Sequence, residues 1–444
     1  MHPPTRPPFP APRDPPPRRP SAQRGAALLV VLTTVAVLTA LAVDLAYRTR
    51  VSLQSAANAR DELRAACLAK SAVALSRLVL HFQQQLDQSA GNAGALAGRL
   101  SGQAAQASQA SAISFRLWEL VPVDSSSVAM FLSGEPAAGS PPARAPAPAG
   151  TEELFGAGTA RAFGDYQGSF RARVDDEDRK VNVAQLAGLS TAAAPQLVRL
   201  LSLVREQRFD YLFDREDANG VRASRPEVAI ALKDWVDEDE VTSVLGRNPA
   251  VPFEAGYGDE NAVYDRGPDR YRAKNARFDS LEELHLVAGL SDSFMSAFGD
   301  RLTVYPDVNA PANINTSDPQ QMLVNILAMS DPPGIPQPVV LDPMFQEKLE
   351  AALRLVRPFP FMALNVQQLA TVLTALGVRL QAIYRQAANT DARIPFGNRS
   401  STFRILGTGK VGSVTRNIEA VVTFDSRAGP LASSLGRLLH WREE

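Results

Sequence analysis

The 444 residues include one cysteine, Cys67, so no disulfide can form within the chain. It falls on an apolar helical pattern, where a buried and unreactive thiol is expected. Histidine is almost as scarce. His2, His81, His285 and His440 are scattered, and without cysteine partners they do not make a zinc ligand set. An excess of one charge is missing too: 46 basic and 47 acidic side chains give a formal net charge of −1. That balance provides no overall attraction to nucleic acid. There is no Gly-x-Ser-x-Gly and no Ser/His/Asp set, and paired carboxylates alone do not make a hydrolase. The sequence therefore contains no catalytic residues that can be named.

What the sequence does contain is one uninterrupted apolar run, Ala26 to Val43 (AALLVVLTTVAVLTALAV). These 18 uncharged residues are close to the length a helix needs to cross a bilayer core. A proline-rich leader with Arg13, Arg18, Arg19 and Arg24 precedes the run, so the bulk of the chain is expected on the far side of the membrane. A secretory signal cleaved near Ala40-Leu41-Ala42 and an uncleaved anchor are both compatible with the hydropathy. Neither accounts for Arg24-Gly25 standing immediately before the run. That arrangement resembles a type IV prepilin leader, which implies peptidase cleavage after Gly25 and a mature N-terminus at Ala26. Pilins usually carry glutamate at the fifth mature position, and here it is Val30. A carboxylate inside a membrane is costly and is kept only where it has a partner. The resemblance therefore implies an assembly position with no subunit ahead of this one.

From Ala26 the helical pattern leaves the apolar run at Asp44 and continues through Leu53, Ala57, Leu63, Cys67, Val73, Leu75, Leu78 and Leu80. Sustained heptads are lacking, which argues against a coiled-coil stalk. Residues 89–111 are rich in Ala, Gly, Ser and Gln and read as loop or weak helix. ISFRLWELVPV and VAMFL (128–132) have strand character, residues 133–151 form a Pro/Ala linker, and SFRARV (169–174) alternates as a half-buried strand. Asp175 to Asp178 reads as an acidic turn ahead of a helix start, with Asn182 just beyond it. Helical spacing prevails from 184 to about 390, with caps at Ser224/Pro226, Ser280/Glu283 and Ser317/Pro319. Residues 402–424 read as a hairpin with Gly407, Gly409 and Gly412 crowding the connection.

Charge is uneven along the chain: residues 210–260 carry 13 acidic and 5 basic side chains. KDWVDEDE and FEAGYGDEN supply clustered oxygen donors of the kind that suit Ca²⁺. DREDANG hints at an EF-hand loop but fails it, because Arg215 and Pro226 would occupy ligand positions. LEELHLVAGLSDSFMSAF resembles a SAM-like or helix–hairpin–helix unit. Its acidic surroundings point away from DNA and towards a structural or protein-contact role.

DWVDEDE, Gly258-Asp259-Glu260 with Tyr264, RYRAKN (270–275), DSLEELHLVAGL and NINTS (313–317) occur in that order. Together with the leader and Val30, this series resembles minor pseudopilin K of type II secretion. The resemblance implies an α+β fold in which a pilin-like long N-terminal helix packs on a small antiparallel sheet. A large all-helical domain, SAM-like or containing helix–hairpin–helix, would be inserted between the strands. The expected segments are 1–25 leader, 26–47 transmembrane helix, 48–88 periplasmic helix and 89–174 first part of the sheet. The inserted domain would be 175–392, the C-terminal strands 393–425 and the tail 426–444. The resemblance also implies structural Ca²⁺, with Asp234, Asp237, Asp239, Glu254 and Glu260 as ligand candidates. Its implied partners are minor pseudopilins I and J, prepilin peptidase and the bacterial inner membrane, crossed once, with the bulk in the periplasm. The implied role is non-enzymatic: initiating or capping the pseudopilus tip. A type IV pilus tip pilin shares the leader but should lack the motif series. A membrane-anchored periplasmic hydrolase is the reading from another class.

Overall fold

The computed structural model describes residues 23–101, 114–128, 168–216, 220–248, 251–265, 270–306, 310–359, 361–385, 395–424 and 435–444. The chain divides into two units, residues 1–61 and 62–444. Its first element, α1 (Gln23–Ser101), is 79 residues long and begins in the first unit.

In that unit the apolar run is helical throughout and every residue from 26 to 56 is exposed. At 1.5 Å per residue, the run from Ala26 to Val43 is roughly 27 Å long, close to the thickness of a bilayer's hydrocarbon core. The described residues contain one helix long and apolar enough to cross a membrane, with mean hydropathy 2.6 over its best window. Its few hydroxyls are satisfied internally: Thr33 Oγ1 donates to the Val30 carbonyl (3.0 Å) and Thr39 Oγ1 to the Val35 carbonyl (2.7 Å).

In the second unit α1 becomes one-sided. Ala65, Leu68, Ala69, Ala72, Val73, Ser76 and Leu80 are buried at three-to-four spacing. Next come β1 (Val123–Asp124), β2 (Ser169–Asp176), α2 (Ser190–Leu203) and α3 (Arg225–Asp234). The strands β3 (Val241–Leu245) and β4 (Phe253–Asp259) follow, then α4 (Asp292–Phe298), α5 (Pro319–Met329), α6 (Phe345–Val356) and α7 (Val366–Ala375). The chain ends with β5 (Thr402–Val411), β6 (Val414–Thr423) and β7 (Arg437–Glu443).

β7, β6, β5, β2 and β1 pair in that order into a five-stranded antiparallel sheet. β2 and β5 are direct neighbours, with Asp176 opposite Phe403 and Ser169 opposite Lys410, so residues 177–401 are inserted between adjacent strands. Strand alternation sends Phe403, Ile405, Ile418, Ala420 and Val422 to the face that receives Ala69, Val73 and Leu80 of α1. Val421, on the opposite face, joins a core within the insertion that includes Leu200, Leu232, Leu284, Phe294 and Phe298. A second core in the insertion gathers Ile314, Met322, Ile326, Phe345, Leu349, Leu369 and Leu373.

The architecture is mixed α+β, with a long N-terminal helix and a small antiparallel sheet. Several expectations are corrected. The insertion is not all-helical, because β3 and β4 pair within it and several of its turns are 3₁₀. Gly407 and Gly409 lie inside β5 and not in the hairpin connection; only Gly412, at φ +58°, makes the turn. A Cβ on Gly409 would stand 2.0 Å from the Ala65 carbonyl oxygen, so these glycines let α1 approach the strand backbone. Cys67 is exposed, because its side of α1 faces away from the buried stripe. α1 continues to Ser101, past the expected end at 88. ISFRLWELVPV holds the two-residue strand Ser114–Phe115, then a helical turn whose Trp118 meets Phe403 edge-on at 4.9 Å, and at its last residue, Val123, the start of β1. The tail is no appendage, because β7 is the fifth strand. Asp318, not Ser317, caps α5, accepting from Gln320 N (2.9 Å). Ser280 makes no side-chain cap, and Glu283 accepts from Lys274 (2.9 Å). Most of VAMFL, the 133–151 linker and the leader up to residue 22 lie outside the described residues.

Candidate functional site

Three carboxylates converge at the C-terminal end of α3. The helix starts at Ser224, whose N–H donates to Glu227 Oε2 (2.7 Å), and its apolar side buries Val228, Ala229 and Leu232. That anchoring fixes Asp234 in the last turn, where both its oxygens accept from Ser243 N at 3.1 Å. Asp237, three residues on, pairs with Lys233 through Oδ2, while its Oδ1 is buried with no hydrogen-bond partner among the described residues. Glu260 opens the 3₁₀ turn after β4 and is 4% exposed, and among the described residues neither of its oxygens accepts a hydrogen bond of normal geometry. Ligand oxygens of Asp234, Asp237 and Glu260 all lie within 4.8 Å of one another.

Buried carboxylates this close repel one another unless a cation or proton intervenes. Burial, and then the charges of Asp237, Asp234 and Asp239, push Glu260 up to about 7. Burial also raises Asp234. Beside the cluster, Trp235 meets Tyr264 at 5.4 Å and Tyr264 meets Tyr271 at 5.2 Å, so one wall is aromatic. Asn275, at φ +48°, donates to the Asp239 carbonyl (2.8 Å) and ties the acidic loop to the RYRAKN segment.

Of the five predicted ligands, the structure brings Asp234, Asp237 and Glu260 together. It does not bring in the other two. Asp239 Oδ1 accepts from Val241 N (2.8 Å) in a local turn. Glu254 is exposed on β4, directly opposite Val244. The residues present fit a cation that takes hard oxygen ligands: the set is all carboxylate, and three of its oxygens are buried without a donor among the described residues. Gly25 and Ala26 lie in the first turns of α1, and Val30 follows on the same helix with 63% exposure.

Sequence reading missed a second constellation, because the Asp175–Asp178 step reads as an acidic turn ahead of a helix start. Asp176, Glu177 and Asp178 are buried. Asp176 accepts from Ser400 Oγ (2.5 Å) and Asn313 Nδ2 (3.0 Å) and faces Arg179 (2.9 Å). Glu177 pairs with Lys180 (2.7 Å) and Arg404 (2.8 Å) and also accepts from Thr303. Asp178 accepts from Ser401 N (2.6 Å) and Thr402 N (3.2 Å). These acids stitch the end of β2 to the start of β5 and to the insertion. Burial raises Glu177, but the charges of Lys180 and Arg404 outweigh it and hold the carboxyl at about 2. Burial and the Asp176 charge push Asp178 up to about 8. NINTS belongs to the same network: Asn315 accepts from Leu364 N (2.7 Å) and donates to the Leu364 carbonyl (2.9 Å). The available signal was the run of acids followed, far along the chain, by asparagines.

No family model matches the chain, and no curated protein matches it. Among solved structures, it is similar to a chain in the crystal structure of the GspK-GspI-GspJ complex from the type 2 secretion system of enterotoxigenic Escherichia coli. The identity is 16%, the match covers 63% of this chain and 80% of that one, and the TM-score is 0.39.

Proposed function

We propose that this protein is a minor pseudopilin of type II secretion, placed at the tip of the pseudopilus. The observation that carries the reading is α1. One continuous helix begins with an apolar, wholly exposed run directly after Arg24-Gly25 and ends packed on an antiparallel sheet. An apolar helix exposed along this length is suited to a lipid environment first and to packing among other helices later.

In this reading prepilin peptidase cuts after Gly25 and frees the Ala26 amine. The apolar run holds the protein in the inner membrane, with the bulk in the periplasm, until it is drawn into the filament. Val30 gives no carboxylate to pair with a subunit ahead, which suits the leading position. The motif series supports minor pseudopilins I and J as partners, with the insertion at residues 177–401 as the cap. The role is structural and involves no catalysis.

Ca²⁺ belongs to the same proposal, with Asp234, Asp237 and Glu260 as the residues that would hold it. The ion would neutralise three carboxylates that otherwise repel, and would so fasten the end of α3 to the turn after β4. Asp239 and Glu254 stay outside this set.

The test is N-terminal sequencing of the mature protein made together with prepilin peptidase. A start at Ala26 is expected. A start at Val43, or an intact Met1, refutes the reading.

A further inference from the structure

We infer that the free edge of the β3–β4 ribbon is a docking edge for an extended, basic segment of a partner protein. This goes beyond the tip assignment and does not depend on it.

β3 and β4 form a two-stranded sheet of their own. The β3 side is occupied at Ser243, whose N–H turns to Asp234. Beyond its ladder with β3, β4 receives no backbone hydrogen bond from Glu254 to Gly258 among the described residues. A row of unpaired amides and carbonyls on a strand is a template for another strand.

Side chains on and around this edge say what kind of strand fits. Tyr257 is wholly exposed (107%), and Val241 and Val244 are exposed at 41% and 43%. Tyrosine at such a position gives a partner a large contact area with little conformational freedom to lose. Around these apolar groups stand Glu238, Glu240, Glu254 and Asp259, all exposed. None of them has a cation within ion-pair distance among the described residues. Val244 and Glu254 are directly opposite in the ladder, so apolar and acidic groups share one face. Between the Val241–Asp259 and Ser243–Ala255 pairs one residue of β3 faces three of β4, so Gly256, Tyr257 and Gly258 form a bulge that carries Tyr257 on β4.

A second copy of this chain would bring the same four acids to the edge and be repelled. A strand alternating Lys or Arg with apolar residues would be attracted by the acids and would cover Tyr257. Charge therefore selects a different protein over self-pairing.

The experiment uses the full chain in a non-ionic detergent and a fluorescent octapeptide of alternating Lys and Val, followed by anisotropy against empty micelles. Saturable binding is expected, weakened by added salt. Changing the peptide's Lys to Glu, or methylating alternate backbone nitrogens, should each lower affinity by ~10-fold or more. Tyr257→Ala should cost ~10-fold, and Glu254→Lys with Glu240→Lys should reverse the preference to the acidic peptide. These positions are exposed, so the urea midpoint should not move and lost binding is not unfolding. The proposal is overturned if the N-methylated peptide binds as well as its parent, if the Lys variants bind the basic peptide unchanged, or if Tyr257 mediates self-association instead.

Discussion

Adding one methyl group at Gly409 should loosen the packing of α1 on the sheet. The Cβ would sit 2.0 Å from the Ala65 oxygen, 2.7 Å from the Ala69 nitrogen and 3.0 Å from the Ala65 carbonyl carbon. All three are backbone atoms of the helix, so no side chain can swing aside. Non-bonded carbon and oxygen settle at roughly 3.3 Å or more, which requires the helix or strand to retreat by about 1 Å. That retreat thins the contacts of Ala65, Ala69, Ala72 and Val73 with the sheet face at once. Overpacking against rigid atoms costs ~1–3 kcal/mol, and this contact belongs at the upper end, about 3 kcal/mol. At an m-value of ~3 kcal/mol per molar urea, the midpoint read by circular dichroism should fall by about 1 M. Gly412→Asn is the control, since a Cβ there meets nothing within 4 Å and asparagine accepts φ +58° at a cost below about 1 kcal/mol. If Gly409→Ala unfolds within ~0.5 kcal/mol of the parent, or if the two variants lose equal stability, the close helix–strand approach is wrong.

Two further outcomes follow from the buried acids. Chelating calcium should lower the melting temperature of the full chain, and Asp237→Asn with Glu260→Gln should abolish that response. No shift on chelation would sink the metal assignment. Glu177 is held at about 2 against an ordinary 4.5, so its contribution is complete above pH 4.5 and is lost as pH falls towards 2. Linkage makes this ~3 kcal/mol, measured as the stability difference between parent and Glu177→Gln across that window. A difference that stays constant from pH 5 to pH 2.5 would refute the pairing with Lys180 and Arg404.

The strands show how far local reading goes. SFRARV alternates as read and is β2, because alternation records which side of a pleat meets the core. ISFRLWELVPV, with strand character of its own, is broken into Ser114–Phe115 and the start of β1 at Val123 by a helical turn, whose Trp118 makes an edge contact with Phe403 from the far end of the chain. Gly407 and Gly409 read locally as part of the hairpin connection, because glycine in a short segment usually marks a turn. What they permit is the approach of a helix more than 300 residues earlier in sequence.

The sequence by itself determined the apolar run, the Arg24-Gly25 step, Val30 and the density of acids between 210 and 260. Hydropathy, length and charge are summed along the chain and need no fold to be read. Only the tertiary structure decided that Asp234, Asp237 and Glu260 meet while Asp239 and Glu254 do not. Convergence depends on where a helix ends and which side of a hairpin faces inward, and those are fixed by packing around Leu232, Trp235 and Tyr264. The same holds for the acidic step at 175–178. The run reads as an acidic turn until Ser400, Ser401, Thr402 and Arg404 arrive from the other end of the chain to bury Asp176, Glu177 and Asp178.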